Sequence, residues 1–215
     1  MPQIVYNSTS QHAAHGHYCL ATARPRFCHL RSSQEYSMTV HLSQTAFLSI
    51  ALSSVEAYKK ECYGLILGYR TDTQWLVEYA VPYQTADRGH KMVTPHSQRD
   101  RRVRSCLAQL CDYEFLGTFH SHPAWGNLRA KATPSQWDAL MLPRGDLDLI
   151  VAVNDARRPR RFGYGDKGRT LRGTVSDFSL IMAAYYKPTI GDAGVRRTPI
   201  RCPYALGFEP DVSLK

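Results

Sequence analysis

The chain has 215 residues, a length that favours one domain with extensions over two full domains. Hydrophobic residues make up 43% and charged residues 21%, which excludes wholesale disorder, a collagen-like repeat and a coiled coil, and no apolar run is long enough for a transmembrane helix. A net charge of +9 points to nucleic acid or to an acidic partner surface without choosing between them.

Residues 1–37 are polar, His-rich and without sustained periodicity, and read as a flexible extension. Met38 opens the first patterned segment, so a start-site artefact is the alternative reading of what precedes it. No Lys or Arg comes before Arg24 and no long apolar run is present, which argues against a secretory signal and for the cytoplasm. His12, His15, His17, Cys19, Cys28 and His29 are metal-ligand types in a spacing that matches no finger pattern. The six cysteines include no C-x-x-C pair and are expected as free thiols.

Ser43 is placed to cap a helix running to about Lys60, with Phe47, Ile50, Ala51, Val55 and Tyr58 as its apolar stripe. The run 63–69 reads as a buried strand, and 75–81 as its partner across the Thr71-Asp72-Thr73 turn. A second helix is expected from Pro95 towards Cys111, turning Val103, Cys106, Leu107 and Leu110 inward. Residues 114–119 form a further predicted strand. Thr133 is expected to cap a third helix, with Pro134 at its first position and Gln136 completing a capping box.

Residues 147–153 are β-rich, 154–159 hold turn residues, and 161–164 are a candidate strand. The run Arg157-Arg158-Pro159-Arg160-Arg161 reads as a solvated hairpin, or as a contact for nucleic acid or an acidic partner. The apolar segment 178–186 is a strand or a helix, undecided by periodicity, and 188–215, rich in Pro and Gly, is expected as a surface tail. The order αββαβαββ implies α/β architecture: a mixed β-sheet flanked by helices, an α/β sandwich.

Chemistry concentrates in Gly117-Thr118-Phe119-His120-Ser121-His122-Pro123. Residues i and i+2 of an extended chain point to the same side, so both imidazoles reach one ion. Asp138 follows Ser135 in the pattern Ser-x-x-Asp on the third helix, and residues three apart share a helix face. Two His and one carboxylate, with a fourth position left for water, is the ligand set of a catalytic zinc site. Such a site needs a base outside the ligand set. Glu61, just before a buried strand, is the candidate, because partial desolvation raises a carboxyl's pKa towards a useful value.

These blocks, Glu61-Cys62-Tyr63-Gly64-Leu65-Ile66-Leu67-Gly68, His120-Ser121-His122-Pro123 and Pro134-Ser135-Gln136-Trp137-Asp138, resemble the signature of the JAMM (MPN-plus, JAB-domain) zinc metalloprotease family over roughly residues 38–187. The resemblance implies an MPN (JAB) fold, similar to that of cytidine deaminases, but the chain lacks the H-x-E and P-C-x-x-C pieces of deaminase chemistry. It implies a deubiquitinase-like isopeptidase that hydrolyses isopeptide or peptide bonds after the C-terminus of ubiquitin or a ubiquitin-like protein. His120, His122 and Asp138 would hold Zn2+, Glu61 would be general acid/base, and Ser135 would hydrogen-bond the oxyanion. The substrate's C-terminal tail would add a strand to a sheet edge. A non-catalytic scaffold of the same fold and a RadC-like nucleic-acid-associated protein are the alternatives.

The domain organisation that follows is an extension over 1–37, a catalytic domain over 38–187 and a tail over 188–215. Twelve residues separate His122 from Ser135, more than the family's usual spacing. The enlarged loop 124–132 either shapes substrate choice or displaces Ser135; in entropy alone its extra length is inexpensive.

Overall fold

Ser43 begins the first helix as its sequence dictates: its hydroxyl oxygen accepts from Ala46 N, and Phe47, Ile50 and Ala51 beyond it are buried. The computed structural model describes residues 38–84, 87–88, 93–94, 96–191 and 194–207, all in a unit spanning Tyr36–Lys215. In chain order the elements are β1 (Thr39–Leu42), α1 (Gln44–Glu56), β2 (Tyr63–Arg70), β3 (Gln74–Pro82), β4 (Asp87–Arg88) and β5 (Val93–Thr94). There follow α2 (Ser97–Leu110), β6 (Glu114–Pro123), α3 (Gln136–Met141), β7 (Leu147–Asp155), β8 (Gly163–Gly165) and β9 (Thr170–Val175). The last are β10 (Phe178–Tyr186), β11 (Arg196–Thr198), β12 (Ile200–Arg201) and α4 (Pro203–Leu206). The extension predicted over 1–37 and its His/Cys cluster lie outside the described residues. Among those described, no helix is long and apolar enough to cross a membrane.

Ten strands form one mixed sheet in the order β12-β1-β3-β2-β6-β7-β10-β9-β8, with β11 also on β10. The β1–β3 and β6–β7 pairs are parallel, whereas β2–β3, β2–β6 and β7–β10 are antiparallel. β11 pairs with β10 and β12 with β1, yet only Pro199 separates them in sequence. A single segment therefore joins distant strands and obliges the sheet to curl. The Trp75 and Tyr186 rings confirm the curl: they meet at 5.1 Å although β2, β6 and β7 stand between their strands in the sheet order. Val40 N donates to Pro199 O at 2.9 Å, and Thr198 Oγ1 donates to Met38 O.

α1 packs on one face of this sheet. Phe47 and Ile50 join Val77, Phe119, Leu149, Val151 and Met182 in the main core, and Phe47 meets Phe162 edge to face at 5.3 Å. Each such buried aromatic or aliphatic side chain contributes about 1.5–3 kcal/mol. On the opposite face Ile150 and Ala152 pack with Ala132, Ala183 and Tyr185. The alternate residues of β7 thus serve two cores, which explains why that strand reads as a continuous apolar run.

Several expectations are corrected. α1 ends at Glu56 rather than near Lys60, because Lys59 adopts a left-handed φ of 82° and Tyr58 OH is drawn to Asp155 Oδ1 at 2.6 Å. α2 buries no residue: Cys106 and Leu110, predicted to face inward, are exposed, Leu110 at 80%. Polar contacts hold it instead, with Tyr83 OH donating to Asp100 Oδ1 at 2.6 Å and the Arg104 guanidinium 3.9 Å above the Phe115 ring. Ser135, not Thr133, caps α3, since Asp138 supplies a charged reciprocal acceptor. The segment 178–186 is a strand. Residues 196–206, expected within a surface tail, supply β11, β12 and α4, and bury Thr198, Ile200, Cys202 and Ala205.

The β2–β6 pairing slips by one residue between Ile66 and Leu67, and beside this bulge Gly117 has a φ of +150°. A Cβ there would lie 1.8 Å from Leu147 O, inside the β6–β7 pairing. Gly117→Ala is expected to lower stability by about 1–3 kcal/mol, the usual scale of forced overpacking. Thermal unfolding followed by circular dichroism measures this; an unchanged Tm contradicts the close approach.

Candidate metal centre

His120 and His122 occupy alternate positions of β6 and project from the face opposite α1, as the pairing of His120 with Ile150 and His122 with Ala152 requires. Each ring is gripped at Nδ1. His120 Nδ1 lies 3.2 Å from Asp148 Oδ1, and His122 Nδ1 lies 3.0 Å from Lys131 O. A carbonyl and a carboxylate only accept, so both rings carry a hydrogen on Nδ1, and Nε2 is the atom left to offer a lone pair to an ion. Those two Nε2 atoms are 3.1 Å apart, and each is 3.6 Å from Asp138 Oδ2.

Three electron-rich atoms so close together repel unless a positive charge sits among them. Tetrahedral zinc with bonds of about 2.0–2.1 Å separates its ligand atoms by about 3.3 Å, which the observed spacings bracket. The donor set therefore fits a divalent cation. The electrostatics agree. Burial opposes charge on His120, yet Asp148 and Asp138 hold its pKa well above the ordinary imidazole value. Burial likewise opposes ionisation of Asp138, but the two imidazoles 3.6 Å away take its pKa far below the carboxylate range.

Asp138 is fixed by the start of α3. Ser135 N donates to Asp138 Oδ2 at 2.7 Å, and Asp138 N donates to Ser135 Oγ at 3.1 Å. The same capping box that begins the helix orients the ligand oxygen. Ser135 Oγ accepts in that bond, so its own hydrogen remains available to donate.

Glu61 reaches the site from the other side of β6. Continuing the Tyr63–His120 pairing by two residues sets Glu61 opposite His122, and two bonds secure that approach: Ser121 N donates to Cys62 O at 3.1 Å, and Cys62 N to Ser121 Oγ at 2.9 Å. Glu61 is buried. Burial raises its carboxyl pKa, His122 and His120 oppose the shift, and Asp138 adds to it.

Glu61, His120, His122 and Asp138, distant in sequence, thus share one electrostatic environment, with Ser135 tied to Asp138. Sequence reasoning missed two supports, Asp148 and the Lys131 carbonyl. The first left a signal: a carboxylate inside the run Leu147-Asp148-Leu149-Ile150-Val151 must have a partner if the run is buried. Thr118 Oγ1 also donates to that carboxylate, at 3.4 Å. The second comes from the enlarged loop 124–132, which is tied down on several sides. Ala124 N donates to Val153 O, Ala130 N to Asn154 Oδ1, and Tyr185 OH to Ala132 O at 2.8 Å.

A family model described as prokaryotic homologs of the JAB domain matches residues 43–162, a span that holds Glu61, His120, His122, Ser135, Asp138 and Asp148. The solution structure of a protein from Desulfitobacterium hafniense is similar, with 18% identity and a TM-score of 0.47 over 76% of this chain and 92% of that one. No curated protein matches the chain.

Because Asp148 orients His120 through Nδ1, Asp148→Ala is expected to weaken zinc binding by about 10–100-fold. Asp148→Asn, whose amide oxygen still accepts the Nδ1 hydrogen, should lose less. Competition against a chromogenic zinc chelator reads both affinities, and equal affinity for wild type and Asp148→Ala would remove the orienting role.

Proposed function

The chain belongs to the prokaryotic homologs of the JAB domain, and from that premise we propose that it is a zinc-dependent hydrolase cleaving isopeptide or peptide bonds after the C-terminus of ubiquitin or a ubiquitin-like protein. The observation that carries this reading is the convergence of His120 Nε2, His122 Nε2 and Asp138 Oδ2 beside a buried, unligated glutamate. When bound by these three residues, zinc supplies Lewis acidity that activates water and polarises the scissile carbonyl.

The remaining work belongs to the protein's own groups. Glu61 receives the proton of the attacking water at its carboxylate and returns it to the leaving nitrogen, a task suited to a carboxyl whose pKa burial has raised. Ser135 directs its free hydroxyl hydrogen at the developing oxyanion, and donors of this kind contribute about 2.7–4 kcal/mol in comparable sites. Asp148 and the Lys131 carbonyl keep both imidazoles in the tautomer that leaves Nε2 free. The cytoplasm is the setting we assign, in keeping with the free thiols of Cys62, Cys106, Cys111 and Cys202.

A fluorescent lysine-peptide conjugate of ubiquitin, run beside the same conjugate of a ubiquitin-like protein, tests the function. Zinc-loaded wild type is expected to release the peptide, chelation to stop release, and added zinc to restore it. Glu61→Gln should keep its zinc, measured by elemental analysis, and slow cleavage by about 10²–10⁴-fold. Undiminished cleavage by Glu61→Gln would remove the base, and zinc-loaded wild type inert on both conjugates would remove the proposed substrate class.

A further inference from the structure

Since β6 and β7 run parallel, the loops leaving their C-terminal ends, 124–132 and 156–162, open at the same end of the sheet as His122. Asn154 joins them, with Oδ1 accepting from Ala130 N at 2.8 Å and Nδ2 donating to Ala130 O at 3.3 Å. A third segment arrives beside them: Tyr58, bonded to Asp155 Oδ1, brings in Lys59 and Lys60, immediately before Glu61.

The charge on these segments is one-sided. The two loops contain Arg129, Lys131, Arg157, Arg158, Arg160 and Arg161 and no Asp or Glu. Those six side chains and both lysines are exposed. Arg129, Lys131, Arg157, Arg158 and Arg160 form no ion pair with any described residue, unlike Arg104 with Asp100 or Arg197 with Asp166. Of the acidic groups held at this end, Glu61 is buried, Asp138 faces the histidines and Asp155 is bonded to Tyr58, which leaves Asp177, whose carbonyl accepts from Ala156 N, as an exposed carboxylate beside the six cationic side chains of the loops. Like charges crowded on tethered loops repel one another, and the strain is relieved by an anionic partner. The Lys131 backbone that carries one of these charges is the same unit whose carbonyl holds His122.

We propose that loops 124–132 and 156–162, with Lys59 and Lys60, form a docking rim for an acidic segment of the polypeptide substrate, drawing it onto the metal centre. The inference rests on the hydrolase reading above, because a rim around a peptide-cleaving centre meets the substrate polypeptide first. Its field raises the association rate of acidic chains and is screened by salt.

Fluorescence anisotropy on the full, zinc-loaded chain tests the rim with three labelled probes: a Glu/Asp-rich peptide, an uncharged Gly/Ser/Asn peptide of equal length, and single-stranded DNA. The acidic peptide is expected to bind at about 50 mM salt and to weaken steeply by about 300 mM, while the uncharged peptide does not bind. Arg157→Glu/Arg158→Glu/Arg160→Glu and, separately, Arg129→Glu/Lys131→Glu should each lose about tenfold or more in affinity, whereas Arg101→Glu/Arg102→Glu on α2 should change it less than about twofold. Circular dichroism checks the fold of each variant, and Arg157→Gln/Arg160→Gln serves where charge reversal unfolds the chain. No binding of the acidic peptide, loop-dependent binding of DNA alone, or equal loss in the α2 variant would overturn the proposal. Binding requires no turnover, so a rim that binds in a protein inert on both conjugates leaves the rim standing and removes the hydrolase, and the converse result separates them equally.

Discussion

The parallel pairing of β6 with β7 is the constraint on which the site depends. Its register sets Asp148 opposite Thr118 and leaves its carboxylate 3.2 Å from His120 Nδ1. It also turns both strands' C-terminal loops to one end, so that the loop after β6 can fold back and offer Lys131 O to His122. A slip of one residue would move the imidazoles to the face covered by α1 and abolish the site, because side chains alternate with a period of two. The two cores on either side of β7 make that slip prohibitive: Leu149 and Val151 belong to one, Ile150 and Ala152 to the other, and all four are fully buried or nearly so.

What the sheet holds rigidly and what it holds loosely follow from the same contacts. The curl closed by residues 196–201 puts Ile200 and Cys202 in the core with α1, and the ligand-bearing strand lies near the middle of the sheet order. α2 is anchored by Tyr83–Asp100 and Arg104–Phe115 and buries nothing. Elements with few buried apolar contacts open at low free energy. α2 is thus the element expected to exchange amide hydrogens soonest, while β6 and β7 exchange last, a division that keeps the ligands fixed irrespective of motion in the helix.

Short-range chemistry was legible in the sequence, and long-range pairing was not. Ser43 with Phe47, Ile50 and Ala51 announced α1 because capping and helical periodicity act within a few residues. The His120–His122 spacing and the Ser135–Asp138 spacing did the same for the ligands, since alternation along a strand and proximity on a helix are local geometry. Val103, Cys106, Leu107 and Leu110 misled because an apolar stripe states what a helix is able to bury, not whether a surface is there to receive it. β11 and β12 were illegible for another reason: strands of two or three residues beside Pro199 show no period, and their pairing with β10 and β1 is decided by strands far away in the chain. Asp148 was the intermediate case, a local anomaly in an apolar run whose explanation lay on the neighbouring strand.

The arrangement of charge ties fold and chemistry together. Two buried carboxylates, Glu61 and Asp148, and the half-buried Asp138 stand around the two imidazoles, and an interior that gathers negative groups in this way suits a cation. Around it, every charged group that loops 124–132 and 156–162 expose is positive. The two shells act on different ligands because of distance and medium: buried carboxylates act at full strength on an ion among them, while exposed arginines act over roughly a Debye length, about 8–10 Å, on whatever approaches from water. A net charge of +9 alone suggests diffuse attraction to any polyanion. Concentrated on loops beside the ligand strand, one of which Asn154 fastens through Ala130, part of that charge becomes directional, gathered at the end of the sheet where His122 lies.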